Sequence, residues 1–286
     1  MRALILGGYA TRPATLLGQM PDVEPKANEV RVRIEAAAFN PLDSKIAIGA
    51  MKDWFPISFP YVPGTDFAGV VEAVGSDVSD VAPGDAVFGR ADPVRGGALA
   101  THVVVAADRV AHRPPSVTAQ AAACLPTPAG IALQGLAALG RTDDEPLLIL
   151  GDGAVAQAAK AMAGHAATII RSADDFEHAP TTRHVFDAVG GALQRLAIER
   201  LPKGSRFVGI VSPVNEETVT RLGLHAEFAV LETSRAQLDE IARLAGRRGV
   251  PLRPDRVLAL DEAASAFDRY VAHELAGKTI VTGDAA

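Results

Sequence analysis

Apolar and polar residues alternate over residues 29–35, EVRVRIE, with the period of two that a half-buried strand requires. Further short apolar runs follow at 69–75 (GVVEAVG), 85–89 (DAVFG) and 101–105 (THVVV), each bounded by Gly, Pro or Asp turn signals. Strands this short and this closely spaced predict a partly closed barrel over residues 1 to about 120. The Ala-rich stretch 118–139 predicts helix, broken at Pro126 and Pro128. From Pro146 onward the pattern changes. LLIL at 147–150 is continuously apolar, as in a strand covered on both faces. A helical run through Ala163, a strand at 167–170, and strands beginning at His184 and Arg206 continue the alternation, which predicts a parallel α/β sheet. A helix over 234–247, a partly helical segment over 258–270 and a last strand at 279–282 complete the pattern.

Composition adds limits rather than detail. With 286 residues, 48% of them hydrophobic and 22% charged, the chain has the make-up of a globular protein of two domains. Net charge is −6 and no basic stripe is present, which argues against nucleic acid as a partner. No stretch approaches the roughly 18 apolar residues of a membrane helix. The opening apolar run is interrupted at Gly7 and Gly8, unlike a signal peptide, so a cytoplasmic protein is the expectation. Cys124 stands alone, which excludes intramolecular disulfides and a cysteine-built zinc site.

Directly after the apolar strand at 147–150, Gly151, Gly153 and Ala156 fit G-x-G-x-x-A at the opening of a helix. The first glycine suits a tight turn and the second lets a pyrophosphate approach the backbone. The small third residue lets helix and strand pack closely. Free N–H groups at the helix start add partial positive charge. The alternative is a tight strand-to-helix corner that binds nothing. Arg171 stands about 20 residues past Gly151, where an acid would hold the ribose of NAD; a cation there suits the 2′-phosphate of NADP instead. The alternative is an exposed basic residue at a strand end, and Asp174 and Asp175 lie close by.

Several spaced motifs together resemble the medium-chain dehydrogenase/reductase family, in its quinone oxidoreductase branch: AAAFNPLDSK at 36–45, PGTDFAGVV at 63–71, VGSDV at 74–78 and PGDAVFG at 83–89. GALATHVVV at 97–105, DAVGG at 187–191 and GKTIV at 277–281 extend the likeness over nearly the whole chain. The resemblance implies a GroES-like catalytic domain over 1–122 and 250–286, and a Rossmann-type cofactor domain over 123–249. It implies NADPH-dependent reduction of a quinone or α,β-unsaturated carbonyl by a homodimer. Thr127, Gly151, Gly153, Ala154, Val155, Arg171, Ser172 and Gly209 fall where such proteins hold the cofactor.

Zinc members of this family carry Cys near Asn40 and Gly-His-Glu where this chain has Gly64-Thr65-Asp66, so zinc is not expected. Conjugate reduction without metal needs donors for the developing enolate, and Asn40, Asp43 and Asp66 are the candidates. The structural alternatives are a turn at Asn40-Pro41, a helix N-cap at Asp43 and a buried acid at Asp66. Trp54, Phe55, Phe59 and Tyr61 are candidates for a flat wall, with loop packing as the alternative. His102, His112 and Cys124 read as structural.

One departure bears on function. Between the end of the second strand of the α/β region, near Ser172, and the start of the next, near Arg183, lie only ten residues, 173–182. The resemblance implies a helix and a third strand there, so the cofactor domain looks trimmed by about one βα unit. A thin adenine side and weak or lost NADPH binding follow. The runner-up function is a redox-neutral cyclisation, dehydration or lyase step using Asp43 or Asp66. The third is a non-catalytic binding protein.

Overall fold

The computed structural model describes residues 1–248 and 250–283. The chain opens with a hairpin-like pair, β1 (Arg2–Ile5) and β2 (Leu16–Gln19), followed by β3 (Glu29–Ala38), α1 (Pro41–Ala47) and β4 (Asp66–Val74). Next come β5 (Ala86–Arg90), β6 (His102–Ala106), β7 (Val110–His112), α2 (Ala119–Ala123) and α3 (Pro126–Leu139). The α/β stretch runs β8 (Leu147–Leu150), α4 (Ala154–Ala163), β9 (Ala167–Ile170), β10 (His184–Asp187), α5 (Gly191–Arg200) and β11 (Arg206–Gly209). It continues with α6 (Glu216–Leu222), β12 (His225–Phe228) and α7 (Arg235–Arg248). The last elements are β13 (Arg256–Ala259), α8 (Ala263–Val271) and β14 (Thr279–Thr282).

Two compact units result. The first takes residues 1–126, 233–248 and 253–283 and is built on a seven-stranded sheet in the order β13-β14-β3-β4-β5-β7, with β6 also paired to β3. β3 is the spine. Its inward residues Val30, Val32 and Ile34 are buried among Phe67, Val71, Val103 and Phe267, which explains the period of two in its sequence. Register shifts between β3 and β4 at Arg31/Val32 and Ile34/Ala36 bend the sheet, as bulges do in partly closed barrels. The second unit, 127–232 with 250–252, carries a five-stranded parallel sheet in the order β12-β11-β10-β8-β9. Leu148, Leu150, Ile170, Val185 and Phe207 form its core.

Three expectations change. Pro126 and Pro128 do not break the helix they sit in: Pro126 opens α3 and Pro128 falls within its first turn, where the missing N–H has no intrahelical partner to lose. The interruption lies just before, at Cys124 and Leu125. The second change is the boundary at 249. Helix α7 belongs with the barrel, because Leu238 and Ile241 are buried and Arg235 pairs with Asp80 at 2.8 Å and donates to the Ala107 carbonyl. Residues 250–252 in turn go with the second unit. Lastly, the aromatic residues do not share one wall. Tyr61 turns into the core and donates to the Pro93 carbonyl, and Phe55 packs on that core. Phe59 meets Tyr9 edge to face, while Trp54 is 63% exposed.

The shortened connection is as expected. Over 171–183 the chain makes one 3-10 turn, Asp174–Glu177, and then enters β10. In the dinucleotide-binding strand order 3-2-1-4-5-6, the five strands fill places 2-1-4-5-6, and β9 is left at an edge.

Candidate active site

In the second unit, the carboxyl ends of three of the parallel strands, β8, β9 and β11, carry all the nominated cofactor residues but Thr127. Gly151 follows β8 with φ +91°, a backbone conformation open to glycine and strained for other residues. Gly153 is the N-cap of α4; no side chain caps that helix end, and a Cβ at Gly153 would meet only open space. The first-turn N–H groups of Ala154 and Val155 are thus left without a side-chain cap, and helix starts of this kind suit an anionic group. Arg171 and Ser172 follow β9, and Gly209 ends β11. Thr127 is apart from these loops in the chain, in the first turn of α3.

Strand order reverses between β8 and β10, the place where such sheets take their ligands. There Asp187, fully buried, accepts N–H bonds from Val189 (3.0 Å) and Gly190 (2.8 Å) and so fixes the loop opposite Gly151. Burial raises its carboxyl above the usual range, against those two hydrogen bonds. Val189 and Val211 stay exposed beside it and leave an apolar lip. The pyrophosphate cradle thus fits a dinucleotide. On the β9 side the adenine has no further strand to lean on among the described residues.

In the first unit the three acid/amide candidates gather into one enclosed polar cluster. Asn40 is the N-cap of α1, with Pro41 next to it at the position that suits proline. Asp43 is the third helical residue rather than the cap, and its Oδ2 accepts the Asn40 N–H at 2.7 Å. Lys278, from the turn before β14, donates to Asn40 Oδ1 at 2.6 Å and to the Phe39 carbonyl at 3.3 Å. Asp66 opens β4 fully buried, with Arg90 Nε at 4.0 Å from its Oδ1; Arg90 also reaches Thr233 Oγ1 at 3.4 Å.

Burial drives the electrostatics of this cluster. It pushes the Asp43 carboxyl up to about 7; the Asn40 N–H opposes this, the Asp66 charge adds to it, and Lys278 and Arg90 oppose it. Burial also lowers the Arg90 guanidinium, against Asp66 and Asp43. Asn40 Nδ2 and Asp43 Oδ1 are buried without a hydrogen-bond partner, as are Thr65 Oγ1 and Thr279 Oγ1 beside Asp66 and Lys278. Such unsatisfied groups cost about 1–3 kcal/mol each and mark places where a further polar group belongs.

The structure thus joins Asn40, Asp43 and Asp66, but encloses them: Asn40 and Asp43 are each only 2% exposed. Lys278 and Arg90 are the members that sequence reasoning missed. GKTIV was noted for its resemblance, yet nothing in the spacing places its lysine against a residue 238 positions earlier. The remaining candidates are structural. His102 pairs with Glu72 at 3.2 Å, His112 with the Asp80 carbonyl, and the buried Cys124 thiol donates to the Gln120 carbonyl, its pKa pushed up to about 11 by burial.

The two halves match different family models. Residues 26–115 match the alcohol dehydrogenase GroES-like domain, and residues 163–281 match the zinc-binding dehydrogenase domain. The chloroplastic quinone-oxidoreductase QR1 of Triphysaria versicolor is 37% identical over 127 residues, 44% of this chain but only 39% of the relative. The matches to the first curated relatives, that protein included, thus span well under two thirds of their own lengths. The mitochondrial NAD(P)H oxidoreductase RTN4IP1 of Danio rerio is 27% identical, covering 89% of this chain and 84% of the relative. The quinone oxidoreductase of Coxiella burnetii has the same fold, with a TM-score of 0.87 at 22% identity over 99% of both chains. The chain belongs to the medium-chain dehydrogenase/reductase family, in its quinone-oxidoreductase-like branch.

Proposed function

We propose that this protein is an oxidoreductase that works as a homodimer, without zinc, and reduces a quinone or α,β-unsaturated carbonyl at the expense of NADPH. One observation carries the reading: the uncapped start of α4 behind Gly151 and Gly153, at the point where the strand order reverses. A nicotinamide dinucleotide held by its pyrophosphate there would supply the hydride that the acceptor takes up at its β-carbon. The chain's own part is to hold the pyrophosphate on the Ala154 and Val155 N–H groups and to offer Arg171 to a 2′-phosphate. In the first unit, Asn40 Nδ2 and the Lys278 ammonium are the donors for the enolate charge that follows hydride arrival. Asp43, with its pKa near 7, can hold the proton that completes the reaction.

Among the described residues no three His, Cys, Asp or Glu gather where they could share a metal ion. No described helix is long and apolar enough to cross a membrane.

The test joins binding to turnover. Calorimetry is expected to show NADPH binding, and p-benzoquinone or a simple enone is expected to oxidise it at a rate that a chelator leaves unchanged. Asn40→Ala is expected to lower turnover tenfold or more, about 1.4 kcal/mol, with NADPH affinity unchanged. The redox-neutral alternative draws on the titration of Asp43 near neutrality. Turnover of an unsaturated substrate with no nicotinamide present would decide for it.

A further inference from the structure

Three donors stand at the end of β9, where the nicotinamide reading places the adenosine ribose: the N–H groups of Arg171 and Ser172 and the Arg171 guanidinium. A 2′-phosphate needs donors of this kind, two backbone N–H groups and a charge-assisted one. All three already have an internal anion. Asp175 Oδ2 accepts from Arg171 N at 2.6 Å and from Ser172 N at 3.0 Å. Asp152 Oδ2 accepts from Arg171 Nε at 3.0 Å. Asp152 is also the residue between Gly151 and Gly153, so the phosphate-binding turn itself supplies the carboxylate that occupies the arginine.

We infer, building on that reading, that Asp152 determines cofactor specificity as a latch that a 2′-phosphate must displace from Arg171, so that NADPH is favoured less than the arginine alone would favour it. The geometry makes the latch displaceable. Arg171 and Asp152 are 56% and 58% exposed, and an exposed pair of this kind is weakly held and screened by water. A phosphate dianion outcompetes one carboxylate for the guanidinium, but it must part the pair and then sit near the released Asp152 charge. NADH, with a ribose hydroxyl in place of the phosphate, needs neither step. Asp175 acts differently. The two backbone N–H groups hold its carboxyl below the usual range and it stays ionised, which fixes the turn after β9.

The test is a double-mutant cycle read by calorimetry, with NADPH and NADH each titrated into the wild type, Asp152→Asn, Arg171→Ala and the double variant. Asp152→Asn keeps the size of the side chain at an exposed position and removes its charge. It is expected to tighten NADPH by about five- to tenfold while moving NADH less than about twofold. In the Arg171→Ala background the same change is expected to give no NADPH-selective gain. NADPH binding that appears only in Asp152→Asn would support the latch in its strongest form. An equal gain for both cofactors would place the Asp152 charge at the pyrophosphate and overturn the inference, with the nicotinamide reading intact. Unchanged affinities would also overturn it alone. Failure of all four proteins to bind either cofactor would remove the inference together with the reading beneath it.

Discussion

With its carboxyl pushed up to about 7 by burial, Asp43 binds a proton far more tightly in the folded chain than in the unfolded one, where it titrates near about 3.9. The sign of the stability effect follows. Between those two values the folded state holds the proton and the unfolded state has lost it, so this residue's contribution falls as pH rises and levels off above about 7. The slope approaches about 1.4 kcal/mol per pH unit in mid-window. Asp43→Asn keeps an oxygen for the Asn40 N–H and removes the titration. Urea denaturation is expected to show the variant gaining on the wild type from about pH 4 to about pH 7, then running parallel. Parallel curves throughout would mean that Asp43 is not the proton acceptor of the cluster. At this scale the sequence showed the acids and the amide but not their cations. Asn40 and Asp43 lie three residues apart and spacing can join them. Arg90 and Lys278 reach the cluster only through the pairing of β4 with β5 and of β14 with β3.

Helix α3 shows what local pattern does and does not settle. Its Ala-rich composition announced a helix, and the two prolines suggested a break that their place in the first turn makes unnecessary. What seats the helix is Gly135, where an added Cβ would run into the Phe186 ring of β10. Two effects oppose each other in Gly135→Ala. Helix propensity favours alanine by about 1 kcal/mol, and overpacking against a fully buried ring costs about 1–3 kcal/mol. The second is expected to win, giving a net loss in denaturant midpoint that Phe186→Leu partly restores by making room. A stabilised Gly135→Ala protein would show that the ring yields freely. Elements with weak patterns, such as β2, β7 and β12, escaped the sequence reading because they lack the apolar run that made the equally short β8 and β9 legible.

At the scale of the molecule, the trimmed sheet was legible because the short connection between the second strand and the next, residues 171–183 in the structure, cannot hold a helix, a further strand and their connections. The allegiance of α7 was not, since an amphipathic pattern shows that a helix has a buried face without showing which core receives it. The same sheet has two outer strands, β9 and β12, and they differ in a way that bears on the proposed dimer. Lys160 of α4 donates to the carbonyls of Gly164 and Ala167, which blunts the β9 edge with a lysine. On β12, His225 N and Ala229 N bond inward to the Ser205 and Gly209 carbonyls, so by alternation the N–H groups of Ala226 and Phe228 face the open edge. A second copy of β12 could pair there about a two-fold axis. Sedimentation is expected to give about twice the chain mass of 29.7 kDa. Ala226→Pro removes an outward N–H and no ladder bond to β11, which an edge strand tolerates. It is expected to yield a folded monomer with unchanged far-ultraviolet circular dichroism. A wild-type monomer would refute the dimer, and a variant that stays dimeric would move the interface away from β12.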